Sequence, residues 1–193
     1  MGEVRAVAVI GAGIVGRGMA QLAARGGYRT ILEDILPAAL RRAESEIRFN
    51  LDKAVEGGEV SGEAARAVLG RLEFARSVEE AARQADLVIE AVPDELESKL
   101  EIFTLLDKLC RPATILATTT CALTVSEVAA VTYRAPKCVG MRFAARKIQG
   151  KLLEVVCGLQ TDAQTLQSAA EVARRMGQQA VLVREKEPAG SKS

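Results

Sequence analysis

Close to its start the chain reads VAVIGAGIVGRG, a run of small branched apolar residues that breaks at Gly11, Gly13 and Gly16 and resumes as a helical pattern. Few folds accommodate G-x-G-x-x-G between a strand and a helix. The first glycine permits a tight turn, the second lets the backbone approach a pyrophosphate, and the third lets the helix lie close to the sheet. Phosphates then sit against the unpaired amides where the helix begins, around Ile14 and Val15, at the positive end of its dipole. A glycine-rich turn without a ligand has the same letters, so the next strand decides between them. RTILEDI closes that strand on Glu33 and Asp34, and Asp34 lies 18 residues after Gly16. That is near the ~20-residue spacing at which a carboxylate accepts from the adenosine ribose. Such a residue repels a 2'-phosphate, which favours NAD over NADP as cofactor. Arg17 reads either as a neighbour of the phosphates or as a charge facing solvent.

The rest of the chain continues the alternation. Short apolar runs at Ala6–Ile10, 30–32, 87–91, 114–117, 138–141, 152–156 and 180–183 are separated by helical patterns at Ile14–Arg25, 37–55, 63–69, 77–85, 95–109, 126–130 and 163–176. Ser77 followed by Glu80 is a capping-box pattern for one of those helix starts. Strands apolar on both faces and divided by helices predict a covered, mainly parallel sheet. The expectation is one α/β domain over 1–186, a doubly wound Rossmann unit with helices on both faces, and a frayed polar tail over 187–193.

Composition removes several function classes. Lys and Arg number 26 against 25 acidic residues, a net charge of +1 that suggests neither nucleic acid nor an anionic membrane as partner. The 49% of hydrophobic residues are dispersed, with no run near the ~20 that a bilayer span needs. The first residues enter a strand without a signal-peptide pattern, so a cytoplasmic location is expected. Cys110, Cys121, Cys138 and Cys157 form no C-x-x-C pair and there is no histidine, which predicts mostly buried reduced thiols and no metal site.

Four stretches carry a more specific signal. VAVIGAGIVGRGMAQLAARGGY, DLVIEAVPDELESKLEIFTLLD, ILATTTCALTVSEVA and KLLEVVCGL occur in the order and at the spacing of the NAD-binding domain of 3-hydroxyacyl-CoA dehydrogenases, which the chain resembles over nearly its whole length. The resemblance implies oxidation of the 3-hydroxyl of an acyl-CoA, with hydride passing to NAD and the proton to a histidine paired with a glutamate. It places Glu90 beside the nicotinamide half of the cofactor, Lys99 on the following helix, Thr118 at the start of the family's S-N-T-S-S-L segment, and Glu154 at the partner glutamate. It also implies a C-terminal helical domain, which this sequence does not contain; a homodimer or a companion subunit, docked on the edge left open, is the corresponding expectation.

The resemblance breaks where the proton moves. A family segment like G-M-H-F-F-N-P is here Gly140, Met141, Arg142, Phe143, Ala144, Ala145, Arg146, so Arg142 takes the histidine's place and Ala145 the asparagine's. Cys121 stands for a substrate-contacting serine. A thiol is only a weaker donor than a hydroxyl, whereas a guanidinium stays protonated and cannot accept a proton at neutral pH. An ion pair of Arg142 with Glu154 is the expected resting arrangement. The basic cluster Arg142, Arg146, Lys147 and Lys151 reads first as a solvated loop, with the phosphates of coenzyme A as the alternative. Two functions remain open: a weak or inactive relative of the dehydrogenases, and a non-catalytic NAD-responsive regulatory or assembly module.

Overall fold

A computed structural model describes residues 3–143 and 151–185. The strands are β1 (Ala6–Ile10), β2 (Arg29–Glu33), β3 (Leu72–Ala75), β4 (Leu87–Glu90), β5 (Ile115–Thr118), β6 (Cys138–Phe143), β7 (Leu152–Cys157) and β8 (Gln179–Arg184). They form one sheet in the order β3-β2-β1-β4-β5-β6-β7-β8, and every adjacent pair is parallel except β6 with β7. The helices are α1 (Ile14–Arg25), α2 (Pro37–Glu56), α3 (Gly62–Leu69), α4 (Val78–Ala82), α5 (Leu96–Leu109), α6 (Val125–Ala129) and α7 (Ala163–Arg175).

Alternation along the strands divides the core in two. Val7 and Val9 of β1 join Leu32, Leu87 and Ile89 on the face covered by α1, α2, α3 and α7, while Ala8 and Ile10 join Ile31 and Val88 on the face covered by α4, α5 and α6. The two apolar clusters give a doubly wound α/β Rossmann domain, as the alternation of runs predicts. Among the described residues, no helix is long and apolar enough to cross a membrane.

Two local features differ from the sequence reading. β3 is not anticipated, because LEFA alternates a charge with apolar residues and is only four residues long. It forms as an edge strand: β2 supplies its single ladder, and Glu73 on it accepts from Arg29 at 2.7 Å. At the start of α4, Ser77 accepts from the Glu80 amide at 3.2 Å. The full reciprocal box lies instead at the start of α6, where Thr124 and Glu127 satisfy each other's backbone amides.

Candidate active site

The turn between β1 and α1 is held by main chain from both neighbouring strands. The Gly11 amide donates to the Glu33 carbonyl at 2.8 Å, and the Ala91 amide donates to the Ile10 carbonyl at 2.8 Å. Gly11 has φ +101°, and a Cβ there would lie 2.7 Å from the Ala91 carbonyl oxygen. At Gly16 a Cβ would lie 1.7 Å from the Gly11 oxygen, so α1 reaches this depth only without a side chain. Gly13 differs, because a Cβ there would meet nothing within 4 Å. It caps α1 with no side-chain hydrogen bond, so the first helical amides and the space above them form a cradle that suits a phosphate group.

Asp34 completes this end. Its carboxylate accepts from the Ala12 amide at 2.8 Å and from the Leu36 amide at 2.9 Å, which fixes its orientation and leaves other lone pairs facing the groove it lines. Arg17 is drawn away from the turn into an ion pair with Glu46 of α2, so of its two expected placements neither the phosphates nor open solvent holds it.

A groove of about 1160 Å³ runs from this turn across the ends of the strands. Gly11, Gly13, Ile14, Val15 and Asp34 line one half; Lys99, Cys121 and Arg142 line the other. Gly16, Glu90, Thr118 and Glu154 stand behind these residues and act on the groove through them.

The middle of the groove rests on a buried ion pair. Glu90 is 0% exposed and Lys99 1%, with Nζ donating to the Glu90 carboxylate at 2.7 Å. Thr118 Oγ1 donates to the other Glu90 oxygen at 2.7 Å and the Val92 amide to the first at 2.8 Å. Burial raises the Glu90 carboxyl above its ordinary value, against the pull of Lys99, Thr118 and the Val92 amide. The sequence reading overlooks Asp94, which lines the groove and lies 3.8 Å from the Lys99 ammonium. Burial pushes its carboxyl up, but hydrogen bonds from the Thr120 hydroxyl and the Cys121 amide, with the Lys99 charge, hold it below the usual carboxylate range.

At the far end, β6 and β7 run antiparallel with Arg142 opposite Glu154. Arg142 Nε donates to the Glu154 carboxylate at 2.7 Å and one terminal nitrogen to the Thr120 carbonyl at 3.4 Å. Both side chains are about a quarter exposed, at 26% and 27%. The expected ion pair is present between β6 and β7, and the bond to Thr120 ties β6 to the loop after β5. Cys121 is exposed on that loop, while Cys110 and Cys138 are buried in the core, their thiols pushed up to about 11 by burial. Of the basic cluster, Lys151 is exposed at the start of β7; Ala145, Arg146 and Lys147 lie outside the described residues. No group of three or more potential metal ligands occurs among the described residues.

Glu33 was noted in the sequence only as a neighbour of Asp34, yet it is 4% exposed and lines the groove. Burial, and then the charge of Asp34, push its carboxyl up to about 7. The available signal was strand parity: two residues after Ile31, it points to the same inward face.

Comparison with known proteins bears on the whole domain. Residues 6–186 match the family model described as 3-hydroxyacyl-CoA dehydrogenase, NAD binding domain. A probable 3-hydroxybutyryl-CoA dehydrogenase of Bacillus subtilis is 36% identical over 94% of this chain, which spans 63% of that protein. A 3-hydroxyadipyl-CoA dehydrogenase of Escherichia coli is 36% identical over 93% of this chain and 38% of its own length. The crystal structure of a 3-hydroxybutyryl-CoA dehydrogenase from Escherichia coli K12 superimposes with a TM-score of 0.90 at 35% identity, covering 94% of this chain and 38% of that one. The chain thus spans less than two thirds of each of these relatives.

Proposed function

Since the chain belongs to the 3-hydroxyacyl-CoA dehydrogenase family through its NAD-binding domain, we propose that it docks the dinucleotide along the groove while lacking an efficient group to move the proton of a 3-hydroxyacyl-CoA. NAD is the chain's cofactor, and when bound it supplies hydride chemistry at a carbon bearing a hydroxyl or a ketone. Gly11, Gly13 and Gly16 with the amides at Ile14 and Val15 hold the pyrophosphate. Asp34 accepts from the ribose. Lys99, braced by Glu90 and Thr118, positions the nicotinamide half, and Cys121 offers a weak donor to a substrate oxygen.

The observation that carries the proposal is the Arg142 to Glu154 pair at 2.7 Å. Oxidising an alcohol releases a proton that some group must take. Arg142, which we place where the family has its histidine, remains a cation and can only stabilise a negative oxygen. Loss of a positioned base typically removes about 10² to 10⁴ in rate. A 3-oxoacyl-CoA is the matching substrate class for the reverse direction, and a cytoplasmic role in fatty acid metabolism belongs to the same proposal.

The test sets NADH binding by calorimetry beside NADH oxidation with acetoacetyl-CoA, for the chain and for Arg142→His. Binding with little turnover, and a rate at least about tenfold higher in the histidine variant, is the expected result. Brisk turnover by the unmodified chain overturns the proposal.

A second reading, a non-catalytic NAD-responsive regulatory or assembly module, is favoured by the edge at β8, the last strand of the sheet among the described residues, where Leu182 is 57% and nearby Leu159 59% exposed. A homodimer or companion subunit would cover that surface. Light scattering with and without NADH checks it: a concentration-dependent increase in mass, lost on Leu182→Lys, supports this reading, and a monomer at all concentrations counts against it.

A further inference from the structure

We propose that Glu33 reads the nucleobase of the dinucleotide, forming the floor of an adenine subsite at the β2 and β3 end of the groove. The proposal rests on NAD occupying the groove as above. With phosphates at the glycine turn and the ribose at Asp34, the base must lie further along, where Ile10, Val78, Val92 and Ile102 form apolar walls. Glu33 sits between Ile10 and Ala75 in the sheet register and points to the α4 and α5 face. The residue is 96% buried, and its carboxyl, without a hydrogen-bond partner among the described residues, keeps its remaining exposure toward the groove it lines. Asp34 acts on it through charge and holds the Ala12 and Leu36 amides instead.

An unpartnered carboxyl in an apolar floor is unfavourable, and an aliphatic residue would fill the same place without that penalty. A glutamate is suited to this position if its partner arrives with the ligand. Adenine presents a ring-nitrogen acceptor next to its 6-amino donor. A neutral carboxyl presents an O–H next to a carbonyl, so the two edges meet in a pair of hydrogen bonds. The carboxyl, pushed up to about 7, is partly in the acid form at neutral pH. The other charged groups at this end are Asp34 from the β2 terminus, Arg76 from the turn after β3 and Glu79 from α4; α5 contributes only Ile102, Leu105 and Leu109, and Asp94, Lys99 and Arg142 lie toward the other end. Taken at the N7 edge, a base with a 6-oxo group presents two acceptors and forfeits one of the two bonds.

The test is binding of NADH and of its hypoxanthine analogue to the full chain, by calorimetry at pH 6 and pH 8.5, for the unmodified protein, Glu33→Gln and Glu33→Val. Two hydrogen bonds, one of them lost with hypoxanthine, predict about a tenfold preference for adenine, and an NADH affinity that falls between pH 6 and pH 8.5 as the acid form and its O–H donor are lost. Glu33→Gln offers the same donor and acceptor without titrating and should keep the preference at both pH values. Glu33→Val should bind NADH yet lose the preference. An unchanged ratio in Glu33→Val, with NADH still bound, overturns this inference alone; failure of the unmodified chain to bind NADH overturns it together with the reading of the groove.

Discussion

The Gly11 end of the groove is walled mainly by main chain, and the Arg142 end by side chains. At the first, amides and carbonyls approach so closely that a single Cβ at Gly16 would collide with the Gly11 oxygen. At the second, the Arg142 side chain meets Glu154, and the Asp94 carboxylate meets the Lys99 ammonium and the Cys121 amide, contacts that a side-chain substitution can rewrite. Under the proposed function, nucleotide docking is therefore tied to the fold, and proton chemistry is not. The two buried carboxyls repeat the contrast: Glu90 is surrounded by Lys99, Thr118 and the Val92 amide, whereas Glu33 has no hydrogen-bond partner among the described residues.

The hardest way to break this comparison is to remove Lys99. Lys99→Ala strands Glu90 as an uncompensated buried charge and should cost about 3–5 kcal/mol in urea unfolding at pH 7. A loss below about 1 kcal/mol would mean that water reaches the pair and that this end is not side-chain built. Next comes Glu33. Its folded value of about 7 lies above the ordinary carboxylate value of 4.5, so the folded state binds more protons between them, and stability falls as pH rises through that window. Glu33→Gln removes the titration and should gain on the order of 2–3 kcal/mol at pH 8 and little at pH 4.5. Parallel stability profiles for the two proteins would show that Glu33 is solvated.

Smaller effects sharpen the contrast. Gly13→Val adds a side chain in open space, so thermal unfolding should move by less than about 1 kcal/mol while NADH affinity falls about tenfold or more, since the branched group fills the cradle. A large stability loss would instead place Gly13 among the structural glycines with Gly16. Smallest is Glu154→Gln, which removes a partly solvated ion pair and should shift stability by less than about 1 kcal/mol. If it costs several kcal/mol, the far end is as tightly coupled to the fold as the glycine turn.

Much of the domain was legible from local spacing. Gly11, Gly13 and Gly16 between a strand and a helix, Asp34 at the end of the next strand, and the alternating apolar runs each follow from chain geometry within a few residues. The antiparallel register that sets Arg142 against Glu154 agrees with the ion pair that the family resemblance implies. What escaped depended on neighbours remote in sequence. β3 exists because β2 offers it a ladder, and Asp94 belongs to the site because Thr120, Cys121 and Lys99 converge on it.

By itself the sequence determined the glycine turn, the doubly wound class and the guanidinium at position 142, since these depend on residue type and short spacing. Only the tertiary structure decided which carboxyl is braced and which is left bare. Burial and hydrogen-bond partners are properties of segments packed from across the chain, and Glu33 and Glu90, each closing a parallel strand, differ only in what the fold brings against them.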